Sequence, residues 1–137
     1  MTIDEMKAML AKKDGRSRRK PQHIEESIQT VCVNWFRLEY PNYIILAIPN
    51  GGSRNEREAA NMKRAGVLAG ASDLLVVGTR AVLFIEMKGP KGKQQSTQKL
   101  FQKNVERLGH TYAICHSLQE FQLTIERWIK EKYEYGT

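Results

Sequence analysis

No apolar run among the 137 residues approaches the ~18 needed to span a bilayer, and the N-terminus carries no hydrophobic stretch of signal-peptide type. The expectation is a cytoplasmic protein with no membrane association. Cysteine is scarce: Cys32 and Cys115 lie in separate apolar segments without metal-type spacing, which excludes a disulfide framework and points to reduced core residues. His23, His110 and His116 are scattered and have no zinc-ligand spacing, so they read as helix-boundary or surface residues. There is no internal repeat and no low-complexity segment. Acidic residues are the minority charge: 15 Asp+Glu against 22 Lys+Arg leave a formal charge of +7, which favours a polyanionic partner through its long-range field.

Residues 1–22 open with a short amphipathic piece (Ile3, Met6, Met9, Leu10) and run into "KKDGRSRRKPQ", where Gly, Ser, Pro and clustered positive charge predict a mobile basic arm. One domain is expected over residues 23–137, large enough to enclose a single core. From His23 to Glu39, Ile24, Ile28, Val31, Trp35 and Leu38 recur at three- and four-residue spacing, predicting a helix with one buried stripe and with Glu25 and Gln29 on another face. "YIILAI" predicts a strand, followed by the tight loop "PNGG". A second helix is expected over "SRNEREAANMKRAG", capped by Ser53 and stopped by Gly66. "DLLVV" and "AVLFIEM" flank "GTR" as a hairpin, whose continuous hydrophobicity predicts a sheet covered on both sides. "STQKLFQKNVERLG" supplies a third helix, "TYAICH" a fourth strand, and the residues from Ser117 onward a final helix. The order is αβαββαβα, an α/β sandwich. Trp35, Phe36, Phe101, Phe121 and Trp128 occur at helical spacing and are expected as core or dimer contacts.

Chemistry gathers at the hairpin. If it closes through a two-residue loop at Thr79 and Arg80, Val77 pairs with Val82, Leu75 with Phe84, and Asp73 lies opposite Glu86. Opposed side chains have Cβ atoms only ~4.5–5.5 Å apart, so two carboxylates there repel unless a proton or a cation lies between them. A three-residue loop would leave the acids diagonal. Strand alternation puts Glu86 and Lys88 on one face and Met87 on the other, so Asp73, Glu86 and Lys88 converge in a cluster suited to an oxygen-liganded ion such as Mg²⁺. Gly89 and Pro90 end the strand and open space beside it. A solvated Glu-Lys ion pair is the plain alternative for the triplet alone.

The ordered signals NGG, AG-x-x-D, E-x-K and Q within "IPNGGSRNEREAANMKRAGVLAGASD" and "FIEMKGPKGKQQSTQ" resemble the VRR-NUC group of the PD-(D/E)XK nuclease superfamily, over about His23 to Trp128. The resemblance implies a restriction-endonuclease-like αβββαβ core, a central mixed sheet flanked by helices. It implies Mg²⁺- or Mn²⁺-dependent hydrolysis of DNA phosphodiesters, no small-molecule cofactor, and, for short stand-alone members, homodimers acting on four-way junctions. Cleavage of flaps, nicks or linear ends, or a non-cleaving DNA-binding module, are the alternatives. By the same resemblance Asp73 and Glu86 are metal-binding acids, the Met87 carbonyl is a further ligand, Lys88 is the motif lysine, and Glu25 completes the site directly or through water in preference to Glu26. Gln98 matches the glutamine that opens the helix after the motif. Ser72 stands where the family usually has Pro, losing a fixed φ but no ligand.

The remaining candidates are for nucleic-acid binding. Asn50, Gly51 and Gly52 form a sharp loop open to a phosphate or serving only as a turn. Arg54, Arg57, Lys63 and Arg64 on or beside the second helix, Lys91 and Lys93 after the motif, and Arg18 and Arg19 in the arm beside Arg16 and Lys20 are phosphate-binding candidates.

Overall fold

The computed structural model describes residues 2–14, 21–49 and 55–132. Helix α1, Ile3–Asp14, is opened by a reciprocal cap: the Thr2 hydroxyl accepts from the Glu5 N–H at 3.1 Å while the Glu5 carboxylate accepts from the Thr2 N–H at 2.8 Å. Met6 is fully buried against the core. The arm expected over residues 1–22 therefore begins as a packed helix, because burying Met6 and the Ile3 side chain beside α2 offsets the cost of ordering it. Arg16, Arg18, Arg19 and Lys20 lie outside the described residues.

Helix α2, Pro21–Glu39, buries Ile28, Val31, Cys32, Trp35 and Phe36. Leu38, expected on that stripe, is 52% exposed. Phe36 takes the inward position instead, its ring meeting Tyr40 and Tyr43, while Trp35 meets Tyr40 edge-on, and these contacts seal the end of the helix. Strands β1 (Ile44–Ala47), β2 (Leu74–Val77), β3 (Val82–Met87) and β4 (Thr111–Cys115) form one sheet in the order β1-β2-β3-β4. β1 and β2, and β2 and β3, pair antiparallel, whereas β4 joins β3 in parallel. The parallel pairing needs a crossover, supplied by α4 (Ser96–Arg107).

Between β1 and β2 runs α3, Glu56–Arg64, which buries no residue. Its cap is Asn55, whose side chain accepts from the Glu58 N–H at 2.8 Å, not the expected Ser53, which lies outside the described residues. Gly66, at φ +114°, ends it as expected. The last helix, α5 (Leu118–Lys130), is capped by Ser117 and seats Phe121, Ile125 and Trp128 on the sheet face that carries Ile45, Leu74, Val76, Leu83, Ile85 and Met87. On the opposite face, Phe101 of α4 meets Phe84 and Tyr112 edge-on. That helix covers β3 and β4, so helices flank the sheet on both sides as expected, while Ile44 and Leu46 of the edge strand β1 stay exposed. Among the described residues no helix is long and apolar enough to cross a membrane.

Candidate active site

The hairpin closes through Thr79 and Arg80, with the Gly78 N–H donating to the Ala81 carbonyl at 2.9 Å and Leu74 opposite Ile85. Continuing this register one residue puts Asp73 across from Glu86, the arrangement the two-residue loop predicts. Asp73 is held from two sides: its carbonyl accepts from the Ile48 N–H at 2.8 Å, beyond the end of β1, and its carboxylate accepts from the Met87 N–H at 2.7 Å. The Met87 side chain points the other way, into the core.

Glu86 is 4% exposed and Lys88 7%, an unusual depth for charged residues. Glu86 Oε1 accepts from the Gln98 amide at 3.1 Å and lies 3.8 Å from Lys88 Nζ. Its other oxygen, Oε2, is buried with no hydrogen-bond partner among the described residues. Burial, reinforced by the charge of Asp73, pushes the Glu86 carboxyl up to about 8, against the pull of Lys88. Burial also raises Asp73, opposed by the Met87 N–H, by a hydrogen bond shared with the Glu86 carboxyl and by Lys88. At neutral pH the pair thus holds back a proton between its opposed carboxyls.

Gln98 owes its position to the start of α4, where Gln95 is the N-cap and its N–H donates to Gln98 Oε1 at 2.8 Å. Across from that first turn sits Gly70, at φ +85°; a Cβ there would come within 2.3 Å of the Thr97 carbonyl oxygen. The absence of a side chain lets the loop into β2 lie on the helix end, bringing Asp73 and Gln98 to opposite walls of one cleft. Gly70→Ala should cost about 1–3 kcal/mol through combined strain and clash, lowering both the melting temperature and any activity of the site. Thermal melting by circular dichroism checks it; an unchanged melt would contradict the close approach. Ser72, the departure from Pro, is fully buried and its hydroxyl donates to the Leu74 carbonyl at 3.1 Å, restraining the turn by other means.

The cleft has a volume of about 610 Å³ and includes Glu25, Glu26, Gln29, Asp73, Glu86 and Gln98 in its lining. Glu25 Oε1 accepts from the Gly89 N–H at 3.2 Å, which ties the start of α2 to the turn after β3. Among the described residues no three acidic, His or Cys side chains stand close enough together to hold a metal ion. Glu25, Asp73 and Glu86 all line this cleft, with Asp73 and Glu86 directly opposed. Arg57, Lys63 and Arg64 are exposed on α3 and do not line the cleft; Lys91 and Lys93 are exposed on the turn beyond Gly89. Asn50, Gly51, Gly52 and Arg54 lie outside the described residues, as do Arg18 and Arg19.

Neither the close approach at Gly70 nor a brace on Tyr112 has a signal in the sequence. The Gln94 amide donates to Gln102 Oε1 at 2.8 Å and to the Tyr112 hydroxyl at 3.4 Å, tying the loop after Lys93 to the sheet. Burial raises the Tyr112 phenol, with Glu86 and Asp73 adding to the effect against the Gln94 bond. Cys32 and Cys115 are buried free thiols, both raised chiefly by burial, as their apolar surroundings predict.

The VRR-NUC domain profile matches residues 23–119. A solved structure of a VRR_NUC domain protein superposes with a TM-score of 0.65 at 24% identity, covering 83% of this chain and 92% of the other. A second, described as a VRR_NUC domain, gives 0.53 at 20% identity and covers 76% and 96%. No curated protein matches. The four-strand sheet with flanking helices agrees with a restriction-endonuclease-like core. With its profile spanning most of the sequence, the chain belongs to the VRR-NUC domain family, a nuclease family.

Proposed function

We propose that the protein is a divalent-metal-dependent endonuclease that hydrolyses DNA phosphodiesters at four-way junctions as a homodimer. The observation carrying this reading is the buried, opposed Asp73–Glu86 pair, whose Glu86 Oε2 has no hydrogen-bond partner among the described residues and whose Oε1 lies 3.8 Å from the Lys88 ammonium. Such a donor set fits a hard cation, because both acids are oxygen ligands that burial and mutual repulsion make receptive to positive charge. Asp73 and Glu86 would hold Mg²⁺ or Mn²⁺, with the Met87 carbonyl as a further ligand and Glu25 directly or through water. Bound there, the ion supplies charge to the phosphate and acidity to water.

The chain's own groups do the rest. Gln98 fixes the Glu86 carboxylate through its amide, so the acid keeps one orientation during turnover. Lys88 donates hydrogen bonds to the phosphate oxygens, offsetting the charge that grows as water oxygen bonds to phosphorus. As its oxygen bonds to phosphorus the water gives up a proton to solvent, the P–O3′ bond breaks, and the departing oxygen takes up a proton from solvent. The products are a 5′-phosphate and a 3′-hydroxyl.

Arg57, Lys63 and Arg64 on α3, Lys91 and Lys93 on the turn, and the basic residues Arg18, Arg19 and Arg54 bind phosphates, with the Asn50-Gly51-Gly52 loop approaching the backbone. The exposed Ile44 and Leu46 offer apolar area to a second copy. Two sites related by a twofold axis suit paired incision of a symmetric junction.

Incubation of the protein with four-way junction, flap, nicked and linear DNA in Mg²⁺ or Mn²⁺ tests this. Paired nicks in the junction, and a mass in solution of twice the chain, are the expected result. Cleavage of flaps or ends alone would overturn the junction, and tight binding without products would overturn hydrolysis.

A further inference from the structure

A second cavity, of about 370 Å³, shares Glu25 with the cleft and is otherwise bounded by Ile24 and the turn Gly89, Pro90, Lys91 and Gly92. Its lining is mostly carbon. The N–H groups of Gly89 and Gly92 are already engaged, by Glu25 Oε1 at 3.2 Å and by the Gly89 carbonyl at 2.9 Å. The turn lies directly on the stem of the motif lysine: a Cβ at Gly92 would fall 3.1 Å from Lys88 Cβ and 3.2 Å from Lys88 Cδ. The turn that bounds the cavity thus packs on the lysine whose ammonium lies 3.8 Å from Glu86 Oε1. Lys91 is exposed at the rim, and Lys93 is exposed just beyond it.

An occupant must combine a flat apolar body with an anionic group alongside. A bare phosphate gains nothing from carbon walls and is repelled by Glu25. A purely apolar ligand gains nothing from Lys91 and Lys88. A nucleotide satisfies both demands, with its base in the cavity, its phosphate toward the lysines, and any exocyclic amino group within the reach of the Glu25 carboxylate.

We propose that this cavity receives one nucleobase, unstacked from the strand next to the phosphate that Asp73 and Glu86 address. Taking a paired base out of the helix is costly and is least so where stacking is already broken, at a branch, a mismatch or an unpaired nucleotide. The cavity thereby makes cleavage selective for interrupted DNA without any contact to sequence. The inference rests on the nuclease reading, yet its first readout belongs to the bound state and needs no cleavage.

The experiment places 2-aminopurine singly at each nucleotide around the branch of a four-way junction and binds the wild-type protein with Ca²⁺ as the ion. Among the described residues no aromatic side chain lines the cavity. An inserted base is therefore bright, and fluorescence should rise several-fold at one position. In Mg²⁺, Ile24→Trp, which fills the cavity, should slow cleavage about tenfold on intact DNA and leave it equal to wild type when that nucleotide is abasic. The proposal is overturned if no position brightens at saturation, or if the variant's defect is the same on abasic DNA. Should Ile24→Trp not fold, the wild-type scan alone decides. A rise without cleavage keeps the cavity and defeats the nuclease reading; cleavage without a rise does the reverse. Adenosine 5′-monophosphate added alone is the remaining arm: saturable binding of it at micromolar concentration, lost in Ile24→Trp, would mark a free-nucleotide site and overturn insertion from a strand.

Discussion

Glu86→Gln is expected to abolish DNA cleavage while making the protein more stable above neutral pH. Loss of one of two anionic ligands removes a Lewis-acid contribution worth several kcal/mol, and each 1.36 kcal/mol is a factor of ten, so the rate should fall by about 10³ or more. The stability gain follows from proton linkage. The Glu86 carboxyl is raised from 4.5 to about 8 on folding, so between those values the folded chain keeps a proton that the unfolded chain has lost. Stability associated with this group is complete below about pH 4.5 and is lost as pH rises through about 8. Glutamine never ionises, can still accept from the Gln98 amide, and turns a donor toward Asp73 in place of a repelling oxygen. Its melting temperature should exceed that of the metal-free wild type at pH 8 by several degrees, at about 3–5 °C per kcal/mol for a chain of this size. The difference should shrink toward pH 5. Matched melts at the two pH values check this, and a variant less stable than wild type at pH 8 would contradict the strained carboxyl pair.

Lys88→Met should be nearly as damaging to cleavage, by about 10²–10⁴-fold, for a different reason. Methionine fills the volume of the lysine stem against Gly92, so the fold should hold. What disappears is the charge that pulls both Asp73 and Glu86 down. Both carboxyls then rise further, and uptake of a divalent ion shifts to higher pH. Raising the pH to 9 should therefore restore ion binding to this variant but not its cleavage rate. Parallel titrations of ion uptake and cleavage separate the two effects; recovery of cleavage together with binding would reduce Lys88 to a spectator that merely tunes the acids.

The hairpin was the most legible part of the chain because its register depends on a local turn: once Thr79 and Arg80 form the loop, Asp73 and Glu86 must face one another. Ser117 and Gly66 were readable for the same reason, since caps and stops act within one helical turn. Non-local features were not. Gly70 matters because a carbonyl at Thr97 occupies the space of its missing Cβ, a contact no periodicity encodes. The Glu25 carboxylate accepts from the Gly89 N–H, a partner 64 residues away that no local pattern reveals. Leu38 departed from its stripe because the aromatic residues closing α2 favour Phe36 inside. At the N-terminus, "TIDE" carries a Thr-x-x-Glu cap that positive charge further along obscured.

Calorimetric titration of Mn²⁺ into the purified protein, free and with junction DNA bound, bears most directly on the whole account. Uptake should occur with release of protons, strengthen from pH 6 to pH 8 as the Asp73–Glu86 pair gives up its proton, and vanish when both residues are replaced by alanine. No heat of binding at either pH, even with DNA in place, would contradict it.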